Sequence, residues 1–279
     1  MKLKKTTATL LLALFLLPLA VRAELLNNPA NYVQFQPGVE IGLLGVLSHT
    51  IQLSKTGTMF DYVKEGNQNL LFPYRRLTAD LSLGRRHNIT FLYQPLDVRT
   101  EVLLERDVTV DSLTFPARTA LDLRYGFDFY RVSYCFDLLP DPEKELALGL
   151  SLQMRDATIS FAAKDGTMFR VTQNVGPVPI LKARVRWPLG GQSWLGAEID
   201  GFYASDQFLN GANFKFEGSI LDASVRYGLR FSDNLTGFIN WRYLGGSAKG
   251  QGYDTTGPSD GYTDNRLGTY SLSLGFYLR

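Results

Sequence analysis

The chain has few side chains able to do covalent or acid–base chemistry. It holds two histidines and one cysteine. Ser48-His49 pairs a hydroxyl with an imidazole, the types used by nucleophile and general base when an acid orients the ring. No such acid is legible beside it, and a histidine at a strand end is the plainer reading. His87 sits in Gly84-Arg-Arg-His-Asn88, a turn-like run in which it reads as solvated. Cys135 alone excludes an intrachain disulfide and a cysteine-rich metal site, and reads as a small buried side chain. Asp254, Asp260 and Asp264 lie among Gly, Ser and Thr. Calcium takes ~6–8 oxygen ligands and this spacing is not an EF-hand, so a solvated loop is expected. No metal and no cofactor are expected, and no catalytic residue is assigned.

The richer set is ionic. Lys182, Arg184 and Arg186 alternate along one segment and Glu198 and Asp200 along the next, with Asp222, Arg226 and Arg242 following at the same period. Period two places such residues on one face of a strand. A short turn at 188–192 sets the first two groups side by side, where opposite charges attract. On the same faces lie Glu40, Asp80, Asp137, Glu145, Arg131, Arg155 and Arg230, so seven acids meet eight bases. Near balance suits a self-neutralised interior, whereas a selective pore favours one sign.

The opposite faces are free of charge. Leu146, Leu148, Leu150, Leu152 and Met154 form one such set, and Leu221, Ala223, Val225, Tyr227, Leu229 and Phe231 another. A Lys or Arg facing lipid at mid-depth costs ~2–4 kcal/mol, which explains strict exclusion. Tyr93, Tyr130, Trp187, Tyr203, Trp241, Tyr243 and Tyr270 fall near strand ends, as an interfacial aromatic girdle requires. A soluble sandwich would have to bury them.

The amino terminus carries Lys2, Lys4 and Lys5, an apolar run from Leu10 to Ala20, and Val21-Arg22-Ala23 before Glu24. This is the pattern of a cleaved secretory signal. Removing those 23 of 279 residues leaves 256, with 25 basic and 27 acidic residues, a net charge of −2. The basic balance of the whole chain is thus an address label, and nucleic acid is not an expected partner.

Ten strands are expected from residue 38 onward, with twelve as the alternative count because 97–120 contains strand-like stretches such as Val108-Thr-Val110. Short links at 84–88, 139–144, 188–192 and 232–234 alternate with long polar ones near 55–75, 97–120, 163–176, 205–216 and 245–266. That rhythm belongs to an up-and-down antiparallel transmembrane β-barrel with short periplasmic turns. The expected organisation is a signal peptide over 1–23, a periplasmic segment over 24–37 and the barrel over 38–279. Near Phe129-Tyr130 the apolar parity changes, from Leu121, Leu123, Tyr125 and Phe127 to Tyr130 onward, which predicts a β-bulge.

The last ten residues, Tyr270-Ser-Leu-Ser-Leu-Gly-Phe-Tyr-Leu-Arg279, resemble the C-terminal insertion signal of bacterial outer-membrane barrel proteins. Tyr270, Leu272, Leu274, Phe276 and Leu278 keep the spacing, while Arg279 stands where an aromatic is customary. The resemblance implies the bacterial outer membrane, its lipid as surroundings, and insertion by the barrel-assembly machinery. Barrels resembling lipid A deacylases, acyltransferases or omptin proteases use a histidine near the outer rim, where His49 is expected. The function read here is a structural barrel, its lumen plugged by salt bridges. The alternatives are a narrow channel for small solutes and a lipid- or peptide-modifying enzyme using His49.

Overall fold

The computed structural model describes residues 27–28, 33–139, 141, 143–206, 215–251 and 260–278. The expected signal peptide and Arg279 lie outside them. Ten long strands form one antiparallel sheet: β1 (Val33–Leu53), β2 (Leu71–Leu83), β3 (His87–Gln94), β4 (Ala120–Asp137), β5 (Glu145–Ala163), β6 (Phe169–Gly190), β7 (Ser193–Ser205), β8 (Phe216–Ser232), β9 (Leu235–Gln251) and β10 (Tyr262–Leu278). Each pairs with its neighbours in sequence, and β1 pairs with both β2 and β10, so the sheet closes. Closure matters because a free edge would leave backbone donors and acceptors unpaired in lipid. β1 begins at Val33, so residues 33–37, expected in a periplasmic segment, are barrel wall.

Several strands are far longer than the ~9–11 residues a bilayer needs. β1 has 21 residues and β6 has 22, so the wall rises beyond the membrane on the side of the long loops. The expected loop 163–176 contracts to a short turn for that reason. The strand-like stretches of 97–120 do not enter the membrane. Asp97–Leu103 resumes β3 after Pro95 and pairs with the upper part of β4, and Val108–Val110 with Leu113–Phe115 forms a small hairpin. The barrel count is ten.

The parity change at Phe129-Tyr130 has a different cause from the bulge expected there. β4 pairs with β5 in unbroken register from Asp137↔Ala147 to Leu121↔Ala163. Leu121, Leu123, Tyr125 and Phe129 all point inward and are buried, while Asp122 on the other face is exposed. The side chains keep their alternation and the surroundings change. Below this level the outside is lipid and the inside polar; above it the outside is water and the inside apolar. β5 repeats the exchange, with Leu148, Leu150 and Leu152 exposed on the outside and Ile159 and Phe161 buried within.

A bulge does occur, in β1. Gly268 pairs with Ser48 and Thr269 with Val46, leaving Leu47 as the extra residue. Leu47 and Ser48 are consequently both exposed, and His49 turns inward with Ile51 and Leu53.

The face exchange makes a test. Leu121→Ala should cost about 2–5 kcal/mol of stability, the range for a buried leucine. Asp122→Ala should stay within about 0.5 kcal/mol, as surface changes do. Urea unfolding of protein refolded into liposomes measures both; the reverse order would mean that β4 carries the bulge after all.

Candidate functional site

The lumen is filled in layers. At mid-height, Glu40 from β1, Glu198 and Asp200 from β7 and Asp222 from β8 meet Arg76 from β2, Arg131 from β4, Lys182 from β6, Arg226 from β8 and Arg242 from β9. Lys182 Nζ lies 3.0 Å from Glu198 and 2.9 Å from Asp200. Arg131 Nη1 reaches Asp200 at 3.1 Å and Asp222 at 3.0 Å, and its other nitrogens donate to Gln153. Arg76 lies within 3.8 Å of Glu40, 3.4 Å of Glu198 and 3.7 Å of Asp222, and donates to Gln94 at 2.9 Å. Arg242 is paired with Asp222. Asn240 and Ser273 donate to Glu40 at 2.7 and 3.0 Å. One step toward the short turns, Arg184 grips Glu145 at 2.6 Å and lies 3.5 Å from Asp80. Across the two levels six acids face six bases.

Of the eight residues expected in the charge cluster, Lys182, Glu198, Asp200, Asp222, Arg226 and Arg242 are buried in this layer. Arg184 lies just below it. Arg186 is half-buried and joins no ion pair among the described residues. Arg76 was not legible, because it adjoins the polar link expected near 55–75, whereas the strand runs from Leu71; its parity with Asp80 is the signal that places it inward. Glu40 and Arg131 were placed inward but not assigned to the cluster, since their neighbours lie across the lumen.

Above the charges, Leu92, Phe129 and Leu244 form a thin apolar layer. Over that lies a larger apolar core, in which Ile51, Leu53, Leu121, Leu123 and Phe161 of the wall pack against Phe60, Tyr62, Val108, Val110 and Phe115 of the first two long loops. Those loops are tied together, Thr58 N donating to Thr109 O at 2.8 Å, and to β1, Tyr62 N donating to His49 O at 2.9 Å. Nothing in a single sequence announces that a loop folds into a barrel mouth, although Phe60-Asp-Tyr62 is apolar for a solvated loop.

His49 lies inside this core. Its ring stacks on Tyr62 at 4.2 Å and meets Tyr125 edge-on at 4.2 Å, and Nδ1 is 2.6 Å from Gln68 Oε1. Nε2 has no hydrogen-bond partner among the described residues. Burial pushes the Tyr62 phenol well above its ordinary range, so it stays protonated. Ser48 faces the opposite side of the strand. His87 is the first residue of β3 rather than a turn residue, is exposed, and lies 2.8 Å from the Tyr134 hydroxyl. Cys135 is free and buried. Asp260 accepts from the backbone N–H groups of Lys55 and Tyr262, both at 2.9 Å, and Asp264 pairs with Lys249 at 3.1 Å. Asp254 lies outside the described residues.

On the outer surface, Tyr130, Trp187, Tyr203, Trp241, Tyr243 and Tyr270 are exposed, Trp241 the most at 67%. Tyr93 is half-buried because its ring stacks on Tyr130, centroids 5.0 Å apart. Tyr243 pairs with Tyr270 and Tyr93 with Tyr130 toward the loop end, whereas Trp187 lies by the short turns with Lys144 Nζ 4.9 Å from its ring centre. Exposed large apolar side chains cover the wall between these levels. Water would charge ~1.5–3 kcal/mol for each such group left uncovered. A closed antiparallel barrel with an apolar belt is the form that spans outer membranes. The protein is an integral β-barrel of the bacterial outer membrane.

No family model matches the sequence and no curated protein matches it. Among solved structures, it is similar to the outer-membrane protease OmpT of Escherichia coli, at 9% identity over 88% of this chain and 96% of that one, TM-score 0.48. It is also similar to the transport unit of the E. coli autotransporter AIDA-I, at 10% identity over 98% and 96%, TM-score 0.42. A Pseudomonas aeruginosa FadL homologue matches at 9% identity over 88% and 90%, TM-score 0.38. The fold assignment rests on the strand pairing and the outer surface described above.

The charge layer yields a prediction. Asp222→Asn leaves Arg131 and Arg242 buried and under-neutralised and should cost about 3–5 kcal/mol. Adding Arg242→Met should restore part of that loss, so the double variant unfolds later in urea than the sum of the singles requires. Additive losses would mean that the pair does not interact.

Proposed function

We propose that the protein is a non-conducting barrel of structural role, its lumen shut by the salt-bridge layer, with no catalytic machinery. The observation that carries this reading is the burial of lumen arginines. Arg76, Arg131 and Arg242, contributed by three strands around the wall, are each at most 2% exposed, whereas an aqueous channel leaves its lining charges wet. The balance of six acids and six bases supports the same reading, as does the apolar core above. Ten strands also fall near the filled end of the barrel series, since about eight enclose only side chains.

The site offers little to an enzyme. His49 has no carboxylate within hydrogen-bond reach among the described residues, Ser48 points away from it, and loop residues cover it. The lipid of the outer membrane would surround the apolar belt, and the barrel-assembly machinery would read the last strand through Tyr270, Leu272, Leu274, Phe276 and Leu278.

Planar-bilayer recording tests the proposal. The wild-type protein should pass no steady current, and discrete conductance steps would replace this reading with that of a narrow channel. Lipid- or peptide-cleaving activity of the pure protein that disappears in His49→Ala would overturn the non-catalytic assignment.

A further inference from the structure

Below the charge layer the lumen widens into a cavity of about 530 Å³ at the periplasmic end, within the ~300–1,000 Å³ that small-molecule sites occupy. Two features of its wall bear on what it could hold. The first is Arg186, whose side chain is half-buried on the lumen face of β6 and has no hydrogen-bond or ion-pair partner among the described residues. Its cross-strand neighbours are Glu145 and Gly196. Glu145 Oε1 is already taken by Arg184 Nε at 2.8 Å and Nη2 at 2.6 Å, and Gly196 has no side chain. The other acids of the wall are likewise engaged. Asp80 lies on Arg184, Asp141 is 3.2 Å from Lys144, Glu143 is 3.0 Å from Arg230, and Asp137 accepts the backbone N–H groups of Leu139 and Leu146.

The second feature is an aromatic wall. The Trp194 ring lies directly on glycine: a Cβ at Gly228 would stand 2.2 Å from Cε2, and one at Gly196 2.8 Å from Cζ3. Strand backbone covers one ring face, while the ring as a whole lines the cavity. Behind it the buried Phe238 ring lies 6.2 Å from Trp194 and stacks at 4.7 Å on Tyr277, which also lines the cavity. The Tyr277 hydroxyl is fixed by Arg226, which donates to it at 2.9 Å.

We infer that this vestibule is a binding site for a small aromatic carboxylate entering from the periplasm. The ring would lie on Trp194, and the carboxylate would take the planar fork of Arg186, whose donors match two oxygens at once. Gly196, opposite Arg186 on β7, has no side chain, and the Trp194 ring lies over that position. Binding here does not depend on whether the layer above conducts.

Calorimetric titration of the full-length protein in detergent, with benzoate as the probe, tests the inference. Benzoate should bind saturably, while acetate, which lacks the ring, and benzyl alcohol, which lacks the charge, should bind at least tenfold more weakly. Arg186→Gln and Trp194→Leu should each weaken benzoate at least tenfold, Arg186→Lys less so. Lys64→Gln, in a loop at the opposite end, should change nothing. A heat-dependent mobility shift identifies the variants that remain folded barrels. The site is refuted if benzoate does not bind, if it binds equally to folded Arg186→Gln and Trp194→Leu proteins, or if acetate binds as tightly.

Discussion

Lipid offers no hydrogen-bond partner, so a chain that crosses a membrane as strands has to close its sheet, and a charge buried from water inside the ring has to be neutralised there. The pairing of β1 with β10 meets the first demand. The second is met across the lumen rather than along a strand. Asp222 on β8 is shared by Arg76 on β2, Arg131 on β4 and Arg242 on β9, so opposite walls are tied by the same carboxylate. Burying a charge is costly unless it is paired and hydrogen-bonded. That requirement explains why Gln94, Gln153, Asn240 and Ser273 surround the ion pairs.

The exchange of apolar faces along β4 and β5 follows from the same wall meeting different solvents at different heights. Within the bilayer, leucine belongs outside and arginine inside. Beyond it, water takes the outer face, and the inner face has to find apolar company. Two long loops supply that company by laying Phe60, Tyr62, Val108, Val110 and Phe115 over the mouth. The tall wall and the folded-in loops are therefore one structure: neither would bury its apolar side chains without the other.

His49 shows how one residue of register changes a chemical reading. Strict alternation from Val39 through Leu47 would put it on the outer face, toward lipid or water. The extra residue at Leu47 turns it inward, against Tyr62 and Gln68, where it pins the first loop to the wall. Ser48 leaves the strand on the opposite side, as ordinary alternation of neighbours requires.

Much was readable from residue order alone, because lipid punishes charge at every second position and leaves a pattern in the chain. The closed antiparallel barrel, its outward faces, its ten strands, its short turns and the inward direction of most charges all follow from that pattern. Which charges meet did not follow. Arg76 and Glu198 are 122 positions apart, and only curvature of the closed sheet brings them within reach. The loop-filled mouth, the bulge that reverses His49 and the meeting of Arg186 and Trp194 in one cavity wall were also decided by tertiary structure. Periodicity records which solvent a side chain faces, but says nothing of which distant side chain it faces across a lumen.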